Sequence, residues 1–269
     1  MSLEPMLKSL GLSTIQRVVP ELIPIAEKEA WSYQAFLERL VSEEIAHRSE
    51  RRTQTLITKA KFPFEATIDT FDFTFRSELK RQMLGRFLGP ELISEHRSLI
   101  LEGPPGTGKT HLCIAIAYKA IQNGFTARFT TAAALLNDLC VAPDRTVALQ
   151  PYLRPQVLVI DEMGYLGYGP GAADVLFQVV DQRYLKGKPI LFTTNKPLNQ
   201  WGRVLHDEEL ARAILDRTLH HGEYLKLAGP SFRLKGRPID LASPVLKAAK
   251  ASSTASDTSE KSATKSTSN

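Results

Sequence analysis

The sequence predicts an α/β fold, a central parallel sheet flanked by helices and preceded by a small helical N-terminal domain. Three observations predict it. The run Gly103-Pro104-Pro105-Gly106-Thr107-Gly108-Lys109-Thr110 stands between a short apolar segment and a helical pattern, the context of a phosphate-binding loop. Further short apolar runs alternate with helical stretches after it, as in a parallel sheet covered on both faces. The chain before about residue 65 shows helical periodicity instead.

Residues 1–65 are expected to form the helical domain. Trp31, Phe36, Leu37, Leu40, Val41 and Ile45 recur mostly at three- to five-residue spacing, as on one helical face. The stretch from Glu43 to Lys61 sets Arg48, Arg51, Arg52, Lys59 and Lys61 against Glu43, Glu44 and Glu50. It is either a solvated helix face or a patch that contacts phosphates. Lys61-Phe62-Pro63-Phe64 should end the helix, because a residue before proline avoids the helical region.

The second domain is expected over residues 66–243. Its strands are predicted at Ser98–Leu101, Ala127–Thr130, Val157–Ile160 and Ile190–Thr194, and helices at Thr110–Asn123, Ala172–Leu185 and Glu208–His221. Residues 244–269 drift to Ser, Thr, Ala and Lys, too little apolar surface to offset ordering entropy, and read as a disordered tail.

Hydrophobic residues make up 43% and charged residues 23% of the 269 positions, ordinary for a soluble globular chain. No apolar run approaches the roughly 18–20 residues that span a bilayer. The start Met1-Ser2-Leu3-Glu4-Pro5 lacks the pattern of a signal peptide, so the expected location is the cytoplasm, with no membrane partner. Cys113 and Cys140 require no disulfide, and Cys113 should be a small core residue. A net charge of +5 and a pI near 9.1 permit nucleic-acid binding without requiring it.

The chemistry centres on the loop. Its glycines let backbone N–H groups turn inward on phosphate oxygens, and the following helix adds its positive end. Lys109 should reach the β- and γ-phosphates of ATP, and Thr110 should place its hydroxyl on Mg²⁺. The run Val157-Leu158-Val159-Ile160 ends in Asp161 and Glu162. Asp161 suits the Mg²⁺ shell, and Glu162 can orient and deprotonate a water. Asn195 closes the run Leu191-Phe192-Thr193-Thr194, where it can bond a γ-phosphate or the lytic water. In the helix from Glu208, Arg217 shares a face with Leu210, Ala213 and Ile214, while Arg212 points away. An arginine there either forms an internal ion pair or offers its planar head to transition-state phosphate oxygens. His220-His221 read as helix-end residues.

Together these elements resemble the AAA+ ATPases. More specifically, the chain resembles the IstB-type helper ATPases of bacterial insertion sequences, relatives of the DnaC helicase loaders. The resemblance runs over roughly residues 25–240: Glu29-Ala30-Trp31-Ser32-Tyr33-Gln34-Ala35-Phe36-Leu37, Phe71-Asp72-Phe73-Thr74-Phe75, Gly108-Lys109-Thr110-His111-Leu112, Ile160-Asp161-Glu162-Met163-Gly164-Tyr165-Leu166, Gln200-Trp201, Ile214-Leu215-Asp216-Arg217 and Ser231-Phe232-Arg233-Leu234-Lys235. It implies an ATPase that assembles as a homo-oligomer on double-stranded DNA and assists a cognate transposase. It implies that Gly103 to His111 bind ATP, with Thr110 and Asp161 on Mg²⁺, and that Glu162 and Asn195 serve hydrolysis. Arg217 is implied to be an arginine finger reaching a neighbouring subunit, Arg233 a second sensor in its own subunit, and Phe71–Phe75 a linker into the adenine pocket. Thr218 stands where the family usually has Leu, and the Ser/Thr/Lys tail falls outside the pattern.

Three other readings compete. A DnaC-like loader of a replicative helicase would share the whole ATPase core. A small-molecule P-loop kinase lacks a lid-like arginine cluster here and leaves the helical domain without a use. A DNA-binding scaffold that barely turns ATP over fits poorly with the intact Asp161 and Glu162.

Overall fold

The computed structural model describes residues 3–74, 79–164 and 167–234. Phe75, Tyr165, Leu166, Lys235 and the tail 244–269 lie outside the described residues.

The chain opens with three helices, α1 (Leu3–Ser9), α2 (Ser13–Lys28) and α3 (Tyr33–Ala60). The Ser32 hydroxyl caps α3 by accepting the Ala35 N–H at 3.1 Å. The helix stops where the proline signal places the break, with Lys61 in the left-handed region at φ 59°. Ile15 and Val18 of α2 pack on Leu40 of α3, with Phe36 beside them. The single apolar face expected on α3 is thereby split. Leu37, Val41 and Ile45 are exposed, because a residue one position along turns 100° around the axis and α2 covers only one stripe.

Polar groups complete this unit. Helix α2 has no side-chain cap of its own. The buried Glu44 of α3 supplies one, accepting the N–H groups of Thr14 at 2.9 Å and Ile15 at 3.2 Å. Arg48 donates to Glu44 at 2.7 Å and to the Gly11 carbonyl at 2.8 Å. Burial opposes the charge on Glu44, but the hydrogen bonds from Arg48, Ile15 and Thr14 outweigh it and hold the carboxyl below its ordinary range. Arg48 therefore clamps the α1–α2 turn and drops out of the phosphate-contact patch. Arg51, Arg52, Lys59 and Lys61 remain exposed, with no ion pair among the described residues.

Packing continues across the helix break. Ala60 is buried against one face of the sheet, with Leu56 and Ile57 partly buried beside it. Short helices α4 (Gly85–Leu88) and α5 (Glu91–Ser94) follow, then β1 (Leu99–Glu102), α6 (Lys109–Gln122), β2 (Ala127–Thr131), α7 (Ala132–Cys140), α8 (Arg145–Leu153), β3 (Val157–Met163), α9 (Ala172–Leu185), β4 (Ile190–Thr194), α10 (Trp201–Leu205), α11 (Glu208–His220) and β5 (Glu223–Lys226).

The strands pair in parallel in the order β2-β3-β4-β1-β5. Side chains alternate between two cores, as a period of two requires. Leu99, Leu101, Val157, Val159 and Leu191 pack under α6. Ile100, Leu158, Ile160, Ile190 and Phe192 pack under α7, α8, α9 and α11. A sheet covered on both faces needs near-continuous apolar strands, so β1, β3 and β4 stand out as apolar runs, while the edge strand β2 reads Ala-Arg-Phe-Thr-Thr. Strand β5 alternates half-buried and exposed residues at the sheet edge, and α7 and α8 are short, so no run announced them.

Two buried residues fix the strands. Cys113 sits in the core under α6, as expected, and burial pushes its thiol well above the ordinary range. Arg183 on α9 is fully buried and donates to the carbonyls of Tyr152, Pro155, Gln156 and Pro189 at 2.7–3.0 Å. Desolvation lowers its pKa to about 9. Those carbonyls precede β3, which carries Asp161, and β4, which leads into Asn195.

Candidate functional site

The carboxyl ends of β1, β3 and β4 open on a cavity of about 370 Å³, the edge at which open α/β sheets collect ligands. The loop after β1 forms its floor. Gly108 stands at the N-terminus of α6 with φ 92°, and no side chain caps the helix, so its first N–H groups are left for a ligand. A methyl group on Gly108 would come within 2.7 Å of the Phe71 ring, so only glycine lets Phe71 close over the loop. Pro105 to His111 line the cavity. Gly103 and Pro104 do not; their carbonyls accept the Lys109 ammonium at 2.7 and 2.8 Å and curl the loop about it. Burial lowers the Lys109 pKa, against the opposing field of Asp161.

The two carboxylates are sorted by a bulge. Consecutive residues of a plain strand point to opposite faces. Here the β3–β4 register shifts between Ile160 and Met163, and Glu162 takes φ 60°. That conformation is costly for a residue with a Cβ and collects at functional sites. It leaves Asp161 buried, accepting the Thr110 hydroxyl at 2.8 Å, and turns the exposed Glu162 to line the cavity. Thr193 links the pair, donating its hydroxyl to Asp161 and accepting the Glu162 N–H. Sequence patterning does not single out Thr193; a buried Thr-Thr-Asn at a strand end is the available signal.

Asn195 lines the same cavity, and its buried Oδ1 has no hydrogen-bond partner among the described residues. Buried polar atoms are rarely left so, and this one borders the space a nucleotide would fill. Arg233 also lines the cavity. Its segment is tied to the loop by the Phe232 N–H on the Gly106 carbonyl at 2.9 Å, and the charge of Arg233 helps lower the Lys109 pKa. Phe64, Thr70, Phe71 and Asp72 form the far wall. His111 Nε2 lies 3.2 Å from the Thr70 hydroxyl and 3.1 Å from the Thr67 carbonyl, joining α6 to that wall. Phe64 and Thr70 carry no motif, and sequence reasoning misses them.

Arg217 is not in the cavity. It lines a separate small recess with His96, Tyr184 and His221, its Nε 2.7 Å from Asp181 and its guanidinium 4.6 Å above the Phe177 ring. The internal ion pair that the sequence left open is thus present. Thr218 is buried, its hydroxyl satisfied by the Ile214 carbonyl at 2.7 Å. His220 closes α11, with Tyr184 2.7 Å from its ring nitrogen.

The residues fit ATP and Mg²⁺. Uncapped helix N–H groups, a lysine held by two loop carbonyls, and an Asn195 oxygen without a partner among the described residues border one space. Magnesium takes one or two protein oxygens and completes its shell from phosphates and water; the Thr110 hydroxyl and Asp161 provide that many.

Comparison with known proteins supports nucleotide binding. The chain is 42% identical over 207 residues to the ATP-binding protein of insertion sequence IS5376 from Geobacillus stearothermophilus, covering 76% of this chain and 82% of that one. It is 34% identical over 236 residues to the corresponding protein of IS21 from Pseudomonas aeruginosa, covering 87% and 89%. Among solved structures, the DnaC helicase loader superposes with a TM-score of 0.51 at 22% identity over 63% of this chain and 100% of that one. DnaA from Aquifex aeolicus superposes with 0.53 at 18% over 70% and 60%. These two show the AAA+ fold alone. The family described as IstB-like ATP binding protein matches residues 5–239, and the chain, an AAA+ P-loop protein by fold, belongs to that family.

Proposed function

We propose that this protein is an ATPase that assembles on double-stranded DNA in the cytoplasm and assists the transposase of its insertion sequence. One observation carries the reading: a single cavity gathers Lys109, Thr110, Glu162, Asn195 and Arg233, with Asp161 behind Thr110, and leaves Arg217 on another part of the surface. A site lacking one cation of its set is completed by a neighbouring subunit, so hydrolysis depends on assembly.

In the proposed reaction, Lys109 and the α6 N–H groups bind the β- and γ-phosphates. Glu162 takes a proton from the attacking water, whose oxygen bonds the γ-phosphorus as the bond to the β-phosphate oxygen breaks and ADP leaves. Asn195, through an Oδ1 that has no partner among the described residues, orients that water. Arg233 neutralises charge in its own subunit, and Arg217 of the next subunit does so in the transition state. The Thr110 hydroxyl and Asp161 would hold Mg²⁺, which would supply charge neutralisation at the phosphates. Support for the genetic context comes from the relatives named for insertion sequences. The basic balance of the chain, with exposed Arg51, Arg52, Lys59 and Lys61, supports duplex binding.

The test is a mixing experiment. Arg217→Ala should bind ATP normally and hydrolyse it about 10³-fold more slowly, the lower value for an isolated arginine finger. Lys109→Ala should lack binding. Mixed, they should recover activity, because some interfaces then pair an intact loop with an intact arginine. Turnover that is independent of protein concentration, with no recovery on mixing, would rule out completion in trans.

A further inference from the structure

The ion pair of Arg217 is built in an unusual way. Only Nε meets Asp181, at 2.7 Å, while the face of the guanidinium lies on Phe177 at 4.6 Å. Phe177 and Asp181 stand four residues apart on α9, so they present one surface to α11. Nη1 and Nη2 make no hydrogen bond among the described residues. An arginine whose task is to bind a carboxylate normally uses its fork, two parallel bonds at once. Here the fork is unused.

Stability is a weak reason for this arrangement. The Arg217 and Asp181 side chains are each 29% exposed, and ion pairs near the surface contribute little to stability. Fixing the guanidinium at two points has a different effect. It removes rotamer freedom from a long side chain and holds the planar head in one orientation before any phosphate arrives, which is how a positioned group gains in rate.

We infer that Asp181 and Phe177 are positioning residues for the arginine finger, holding Arg217 so that its two terminal amino groups face outward for the phosphate of a neighbouring subunit. This rests on the proposed role of Arg217 in trans. The ion pair and the finger, alternatives in the sequence, become two parts of one device: the carboxylate takes the inner nitrogen and leaves the outer two.

The experiment uses the full chain with DNA and saturating ATP. Asp181→Ala should keep its ATP affinity and lose about 10–10²-fold in turnover, the scale of a misplaced but present catalytic group. Asp181→Asn keeps an acceptor for Nε and should stay close to wild type. Asp181→Ala mixed with Lys109→Ala should recover activity, since the second parent supplies a held arginine to the first parent's intact loop. A purely structural role would show no recovery on mixing and no difference between Asn and Ala, and that result overturns the inference. So does Asp181→Ala turning over at or above the wild-type rate, which would make the pair irrelevant or a lock. The two ideas fail separately. If Arg217→Ala with Lys109→Ala does not recover, the finger itself is lost. If that pair recovers while Asp181→Ala is fully active, only the positioning role falls.

Discussion

The N-terminal helices and the nucleotide-binding sheet are held together by different means. The sheet buries apolar side chains on both faces, and its strands β1 and β4 are buried throughout. The helical unit has a core of three buried residues, Ile15, Val18 and Leu40, and leaves Leu3, Met6, Leu10, Leu37, Val41 and Ile45 exposed. What the unit lacks in apolar burial it makes up with the Glu44–Arg48 clamp on the α2 N-terminus. Chemistry that needs groups held to a fraction of an ångström sits on the first kind of structure. Among the described residues, the three N-terminal helices contribute no side chain to the cavity, and perturbations should therefore separate the two regions.

The largest effect belongs to the sheet. Lys109→Ala should abolish ATP binding, measured by calorimetry, while the helical content and melting of the chain without nucleotide stay as in wild type. Glu162→Gln should keep affinity and slow single-turnover cleavage by about 10²–10⁴-fold, the usual value of a general base. If affinity collapses while the rate per bound ATP survives, the role of Glu162 is wrong.

Next comes the exposed basic end of α3. Replacing Arg51, Arg52, Lys59 and Lys61 with Ala should weaken duplex binding equally across sequences. Every DNA phosphate that these side chains no longer neutralise should flatten the slope of log affinity against log salt by about 0.9. An unchanged slope would move the DNA surface elsewhere.

The smaller effects concern the clamp. Glu44→Ala leaves two α2 N–H groups and Arg48 without a partner and should destabilise the helical unit by about 1–3 kcal/mol. ATP turnover in the absence of DNA should not change. Its pH dependence has a definite sign. The folded-state pKa of Glu44 is lowered, so its contribution is present above the unfolded value of about 4.3 and is lost as pH falls through the lowered one. Hydrogen exchange at Thr14 and Ile15 should accelerate over that acidic window while β1 and β4 stay protected. Uniform loosening of both regions would end the comparison.

Much of the site could be read in advance because its signals are local. The loop from Gly103 to Thr110, the apolar strands and the Asp161-Glu162 pair are each contiguous, and the resemblance to the family likewise rests on contiguous segments such as Ile160 to Leu166. Tertiary structure decided what depends on partners distant in sequence. Thr110 meets Asp161 across 51 positions, Glu44 meets Thr14 across 30, and Arg217 meets Asp181 across 36. No periodicity encodes which carboxylate an arginine will face. The bulge that turns Glu162 into the cavity is a similar case, since it arises from the register of β3 against β4 rather than from β3 alone. The sequence by itself determined the phosphate loop, the Asp161-Glu162 pair and the polar end of β4 at Asn195, but not Phe64, Thr70 or Thr193. Only packing decided which of them share a cavity and that Arg48 is committed to a clamp. Packing also decided that Arg217 stands apart from that cavity, its Nε on Asp181, because those outcomes depend on where the chain meets itself.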